Sequence, residues 1–139
     1  MSGYGRDETE WDRLVDAGRK FLDERAALGT LTSYTELNTV LARRTGLRGF
    51  DFAHPEERAA LGHLLGLIVL DDQRRRPCAG EGDPLMLSAV VRYLNANDAG
   101  PGFYKLAQEL GFLRRGASPD EKLAFWSRQV TLVYQRARG

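Results

Sequence analysis

The sequence predicts a mainly helical α+β fold, with about five helices around a small sheet. Five segments carry apolar residues at helical spacing, most of them behind a clear helix-start signal. One run, residues 84–94, instead alternates apolar and mixed side chains as a strand does. A chain of 139 residues with 42% hydrophobic content can bury a sizeable core. We therefore expect a disordered N-terminus over residues 1–6 and a single domain over residues 7–139.

The first two helices are delimited by capping signals. Asp7 and Glu10 form a capping pair at the start of the first helix, and Gly29 is a suitable C-terminal stop. Residues 30–32 are short and β-prone, which favours a two- or three-residue strand. Ser33, followed three residues later by an acid, then begins the second helix, which runs as far as Gly46.

The third helix, about residues 55–73, is the most apolar element. It begins at His54-Pro55, with proline at the first helical position. Its wide apolar arc predicts a central, largely buried helix, and Gly62 and Gly66 would let another element approach closely. The acidic first turn, Glu56 and Glu57, argues against a DNA-recognition helix, which presents basic and amide side chains there.

The second half contains the predicted strand and two more helices. The strand, around residues 85–94, is expected to pair with residues 30–32, with a short strand in 47–53, or across a dimer. A short helix follows the Gly100-Pro101-Gly102 turn, and Ser118 begins the last helix.

Charge and cysteine content exclude several classes of protein. The net charge of +1 creates no global field toward nucleic acid or membrane. No apolar run is long enough to span a membrane, and the polar N-terminus is not a signal peptide, so we expect a cytoplasmic protein. Cys78 is the only cysteine, which excludes an intramolecular disulfide and leaves its reactivity open. Seventeen of the 20 basic residues are arginine, a skew typical of a GC-rich bacterial genome.

The turn between the strand and the short helix is the first candidate site. Gly100 and Gly102 precede a helix whose first amides are free and lie at its positive dipole end. Arg92 and Lys105 can join these amides around a phosphate or another anion, with Tyr104 beside them. The alternative is that the two glycines only let the chain turn from strand to helix.

A second candidate site consists of arginines near helix ends. They are Arg43 and Arg44 in the second helix and Arg74, Arg75 and Arg76 after the third. If the fold gathers them, they form a basic patch for nucleic acid, and if it scatters them, they are solubilising surface.

Two resemblances accompany these patterns. The segment LTSYTELNTVLARRTG, residues 31–46, resembles the start of the DNA-binding domain of alkyltransferase-like proteins, and the order of elements is that of a winged-helix core. Leu85 and Met86 stand where that family has its reactive cysteine, and its histidine and arginine are absent. The resemblance thus implies a related fold without alkyl transfer.

The other resemblance is to small uncharacterised bacterial proteins. It rests on a Leu-Ser-Ala-Val-Val strand, Leu87 to Val91, followed by Gly100-Pro101-Gly102-Phe103-Tyr104 at the start of a helix. It implies the same organisation and no particular activity.

These observations favour a small non-enzymatic module that binds or is associated with nucleic acid. Its expected partners are DNA or a phosphate-bearing ligand, with no cofactor and no membrane. His54 and His63 lack ligand-spaced neighbours, so we expect neither a metal site nor a catalytic residue. A protein-interaction or dimerisation module, or a small enzyme of unrecognised type, is the alternative.

Overall fold

The structure, a computed structural model, describes residues 3–76, 85–94 and 96–139. Within these residues the fold is mainly helical α+β, as predicted. Its elements are α1 (Glu8–Leu28), β1 (Thr32–Ser33), α2 (Tyr34–Thr45), α3 (Pro55–Arg75), a 3-10 turn (Leu87–Val90), β2 (Val91–Arg92), α4 (Pro101–Glu109) and α5 (Pro119–Arg138). No helix in the described ranges is long and apolar enough to cross a membrane. Cys78 lies outside these ranges.

The predicted starts of α1, α2 and α5 are confirmed by side-chain capping bonds. The Asp7 carboxylate accepts from the Glu10 amide, and the Glu10 side chain accepts from the Asp7 amide, which completes a capping box. Ser118 begins α5 in the same way. The Ser33 hydroxyl also caps α2, but the Glu36 carboxylate binds Thr32 and an arginine of α1 instead of the Ser33 amide. His54 precedes α3 without a side-chain capping bond.

The centre of the protein is a short segment that the sequence predicted wrongly as a long strand. Residues 87–90 form a buried 3-10 turn, and only Val91 and Arg92 belong to a strand. Helices α1, α3 and α5 all pack around this turn. A segment that helices enclose can carry apolar side chains on every side. An alternating pattern within it therefore does not distinguish a strand from a turn.

Side chains take the place of strand partners along this segment. The Gln129 side-chain oxygen accepts from the Met86 amide at 2.7 Å, and the Trp126 indole donates to the Ala89 carbonyl at 2.8 Å. These bonds satisfy buried backbone groups that a sheet would otherwise pair.

The sheet is parallel and very short. Thr32 pairs with Val91 and Ser33 with Arg92, so β1 lies one residue beyond the predicted stretch 30–32. The first of the three predicted pairings is thus close to the observed one.

The apolar core joins all the long helices, with α3 at its centre as predicted. Leu61, Leu64 and Ile68 of α3 are completely buried. Helix α1 crosses α3 closely at Gly18, where an added Cβ would lie 2.6 Å from Ile68 Cδ1. A glycine is needed here because any larger side chain would displace a fully enclosed isoleucine.

Residues 3–6, which belong to the N-terminal stretch with predicted disorder, form a hydrogen-bonded turn. Gly3 and Arg6 exchange two backbone hydrogen bonds, and Arg6 is only 1% exposed. The Arg6 guanidinium lies 4.0 Å from the centre of the Phe50 ring and pairs with Glu57. A buried arginine with these partners holds the segment against the body of the protein.

Candidate ligand-binding groove

A groove of about 590 Å³ lies between α3 and the first turns of α4. We call it the α3–α4 groove. Buried Tyr34 and Ser88 line its floor, and Tyr93 and Phe103 contribute aromatic walls. A mostly apolar concavity with a few polar groups is the usual form of a ligand-binding site.

The floor carries two hydroxyls that form no hydrogen bond with a described residue. Ser88 and Tyr34 are each 4% exposed, and neither hydroxyl hydrogen-bonds to a described residue. Burial, together with the nearby Tyr93 phenol, raises the pKa of Tyr34 to about 12, so its hydroxyl stays protonated at neutral pH. Both hydroxyls can therefore donate to, or accept from, a ligand in the groove.

The aromatic wall is held by close contacts behind it. The Tyr34 and Tyr93 rings meet edge to face, with their centroids 5.0 Å apart. Behind Tyr93 lies Gly100, where an added Cβ would be 2.7 Å from Tyr93 Cβ and Cγ. The backbone at Gly100, with φ 91° and ψ 164°, belongs to a region that only glycine adopts readily.

The rim of the groove carries two cations and one acid. Arg58 donates to the Phe52 carbonyl, and neither Arg58 nor Lys105 forms an ion pair with a described residue. Glu109 lies one helical turn beyond Lys105. Arg58, Lys105 and Glu109 together carry a net positive charge of one unit.

The structure brings only part of the predicted anion site into this groove. Gly102 and Lys105 line it, and an added Cβ at Gly102 would meet no atom within 4 Å. Gly100 instead supports the wall, as in the alternative interpretation of a turn glycine. Tyr104 does not line the groove: its hydroxyl donates to Asp98 at 2.6 Å, and burial and this bond raise its pKa.

Arg92 does not line the groove either. It follows the 3-10 turn in β2, half-buried and opposite Ser33. Its Nε atom is buried and has no hydrogen-bond partner among the described residues.

The predicted arginine patch is divided among acidic partners. Arg44 forms two hydrogen bonds with Glu24 of α1. Arg74 and Arg75 both pair with Asp71, which also pairs with Arg19 of α1.

Arg76 is tied to the body of the protein as well. It pairs with Asp23 and with the buried Asp72, which also binds Arg136 of α5. Arg43 is exposed and has no ion pair with a described residue. Arg44 and Arg76 therefore tie the ends of α2 and α3 to α1, whereas Arg74 and Arg75 pair within α3, and none of the five lines the groove.

Sequence reasoning missed the floor and half of the rim. It did not identify Tyr34, Ser88 or Arg58 as site residues. A lone serine in the apolar run 85–91 was the available signal, because a hydroxyl in such a setting needs a partner.

Comparison of the chain with protein-family models, with curated proteins and with solved structures found no match. The two resemblances described above therefore stay predictions.

Proposed function

We propose that this protein is a non-enzymatic nucleic-acid-binding module that accepts an unpaired nucleotide in the α3–α4 groove. The observation that carries the proposal is the pair of floor hydroxyls, Ser88 and Tyr34, which bind no described residue and lie beneath aromatic walls and a cationic rim. The base of a nucleotide offers a flat face for stacking and polar edges for hydrogen bonds with hydroxyls. The phosphate of the same nucleotide suits Arg58 and Lys105.

Single strands fit this site better than duplex DNA. Most of the arginines at the ends of α2 and α3 are paired with acids, so these arginines do not supply the long basic stripe that follows a duplex backbone. Because Arg58 and Lys105 form no ion pair with a described residue, we expect about two phosphate contacts. The slope of log affinity against log salt for a single strand should then be about −1.4.

The test is fluorescence anisotropy of a fluorescein-labelled ten-residue oligothymidylate, titrated with protein across a salt series. We expect Arg58→Gln and Lys105→Gln each to weaken binding and to reduce the salt slope by about 0.7. Arg43→Gln removes an equally unpaired arginine away from the groove and is the matched control, with the wild-type slope expected. Absence of binding, or equal losses for Arg43→Gln and Arg58→Gln, would refute the proposal.

The same experiment should include a blunt duplex of ten base pairs with the same label. We expect weaker binding to the duplex, because its bases cannot reach the floor of the groove. A duplex that binds more tightly than the single strand would contradict the role given to Ser88 and Tyr34.

A protein-interaction module is the second candidate. Leu70 is exposed and, with Leu67, lines both the α3–α4 groove and a second groove against α1. The strand edge proposed for a dimer contact is only two residues long. The exposed apolar surface at Leu67 and Leu70 is therefore the alternative site for self-association. Sedimentation velocity over a concentration series tests self-association, with Leu70→Lys as the disrupting variant. Monomers at every concentration would reject the dimer.

A further inference from the structure

The N-terminal turn presents one aromatic ring to the α3–α4 groove. Gly3 and Arg6 exchange backbone hydrogen bonds of 3.1 and 3.0 Å, and the two residues between them have positive φ, 54° at Tyr4 and 72° at Gly5. Two central residues with positive φ define a type I′ turn. Asparagine and glycine are usual at the first of these positions, and tyrosine is unfavourable there.

Several contacts hold this turn in its unfavourable conformation. The Trp11 indole donates to the Gly3 carbonyl at 3.1 Å, and Arg48 donates to the Tyr4 carbonyl at 3.3 Å. The carboxylate of Glu57 binds both Arg6, at 3.1 Å, and Arg48, at 3.0 Å. Strained backbone that is held from several sides is characteristic of sites where a side chain must be presented.

The side chain that this turn presents is not part of the core. Tyr4 is 45% exposed and lines the groove, and its ring centroid lies 5.5 Å from that of His63. Burial of the ring therefore does not explain the strained position. A ring exposed on one face and backed by His63 has the form of a stacking platform.

We propose that Tyr4 stacks on the ligand of the α3–α4 groove, and that Glu57 is a positioning residue that holds the turn through Arg6 and Arg48. This inference rests on the proposed function and adds to it a second stacking surface beside His63. A strand bound in the groove would then place a neighbouring base on Tyr4.

The decisive variant is Tyr4→Gly, because glycine adopts the positive φ without strain while the ring is lost. Urea unfolding of this variant should match that of the wild type, which shows that the turn is kept. The ligand is an oligothymidylate of ten residues with one 2-aminopurine, whose fluorescence falls when it stacks. We expect Tyr4→Gly to bind about tenfold more weakly, within the range for loss of one stacked base, with most of the quenching gone. Tyr4→Phe should keep both affinity and quenching.

Glu57→Gln tests the positioning role with the ring still present. We expect the His63 ring protons to lose the part of their ring-current shift that comes from Tyr4, as in Tyr4→Gly, while the contribution of Trp11 remains, and we expect affinity to fall. An unchanged shift with unchanged affinity would refute this role.

The outcomes separate the two proposals. If the wild type binds and Tyr4→Gly binds equally with the same quenching, the stacking role is refuted and the nucleic-acid proposal stands. If the wild type binds no oligonucleotide, both are refuted.

Discussion

Replacing Gly100 with alanine should destabilise the protein more than any other change in the turn before α4. The backbone at φ 91° and ψ 164° costs a non-glycine residue about 1–3 kcal/mol. The new Cβ would also lie 2.7 Å from Tyr93 Cβ and Cγ, an overlap that costs about 1–3 kcal/mol to relieve. We therefore expect Gly100→Ala to lower the free energy of unfolding by about 4 kcal/mol.

Gly102→Ala is the matched control, two residues away. Its added Cβ would meet no atom within 4 Å, and the residue lies in the first turn of α4 with ordinary φ. Alanine favours helix over glycine by up to about 1 kcal/mol, so stability should be unchanged or slightly higher.

Urea unfolding, followed by tryptophan fluorescence, measures both variants. With a slope of about 2 kcal/mol per molar urea, Gly100→Ala should lower the midpoint by about 2 M. The reasoning is refuted if Gly100→Ala unfolds within about 0.5 kcal/mol of the wild type. It is equally refuted if Gly102→Ala loses as much stability as Gly100→Ala.

Three further predictions concern polar groups that bind partners distant in the chain, and they use the same unfolding assay. Asp72→Ala removes the buried carboxylate that binds Arg76 at 2.6 Å and Arg136 at 3.0 Å. This change should lower the free energy of unfolding by about 3 kcal/mol. A loss below about 1 kcal/mol would mean that solvent replaces the carboxylate. Gln129→Leu leaves the buried Met86 amide without its acceptor and should cost about 2 kcal/mol, whereas an unchanged midpoint would contradict that bond.

The third of these is a pH dependence. Burial alone would raise the pKa of Glu57, but hydrogen bonds and charges from Arg6 and Arg48 lower it below its ordinary 4.5. The stabilisation is therefore complete above pH 4.5 and is lost as the pH falls through the lower, folded value. The stability difference between wild type and Glu57→Gln should shrink from pH 6 toward pH 3, and a constant difference would disprove the linkage.

The helix starts could be predicted because the hydrogen bonds that define them join residues close together in the sequence. Asp7 with Glu10, and Ser118 with Glu121, specify helix starts by bonds that span only three residues. The N-terminal turn has no local signal of this kind. Its order depends on Glu57, which lies 51 residues from Arg6 in the chain, so a polar and glycine-rich N-terminus gave no sign of it.

The central segment could not be predicted from its own pattern. Alternation over residues 85–93 fits a half-covered strand, but the backbone there is enclosed by α1, α3 and α5. Its hydrogen bonds depend on Gln129 and Trp126, some 40 residues later, and nothing within the run indicates that side chains would replace a sheet.

The same enclosure explains why the groove has a polar floor. A strand covered on one side would turn Ser88 to the face opposite Leu87, where solvent could satisfy its hydroxyl. In the 3-10 turn both residues are buried, and a serine hydroxyl without a protein partner is costly unless water or a ligand reaches it. The α3–α4 groove supplies that access at Ser88 and again at Tyr34. The polar floor at Ser88 is thus a consequence of burying residues 87–90 on every side but one. A ligand that reaches the hydroxyls of Ser88 and Tyr34 would complete their hydrogen bonding.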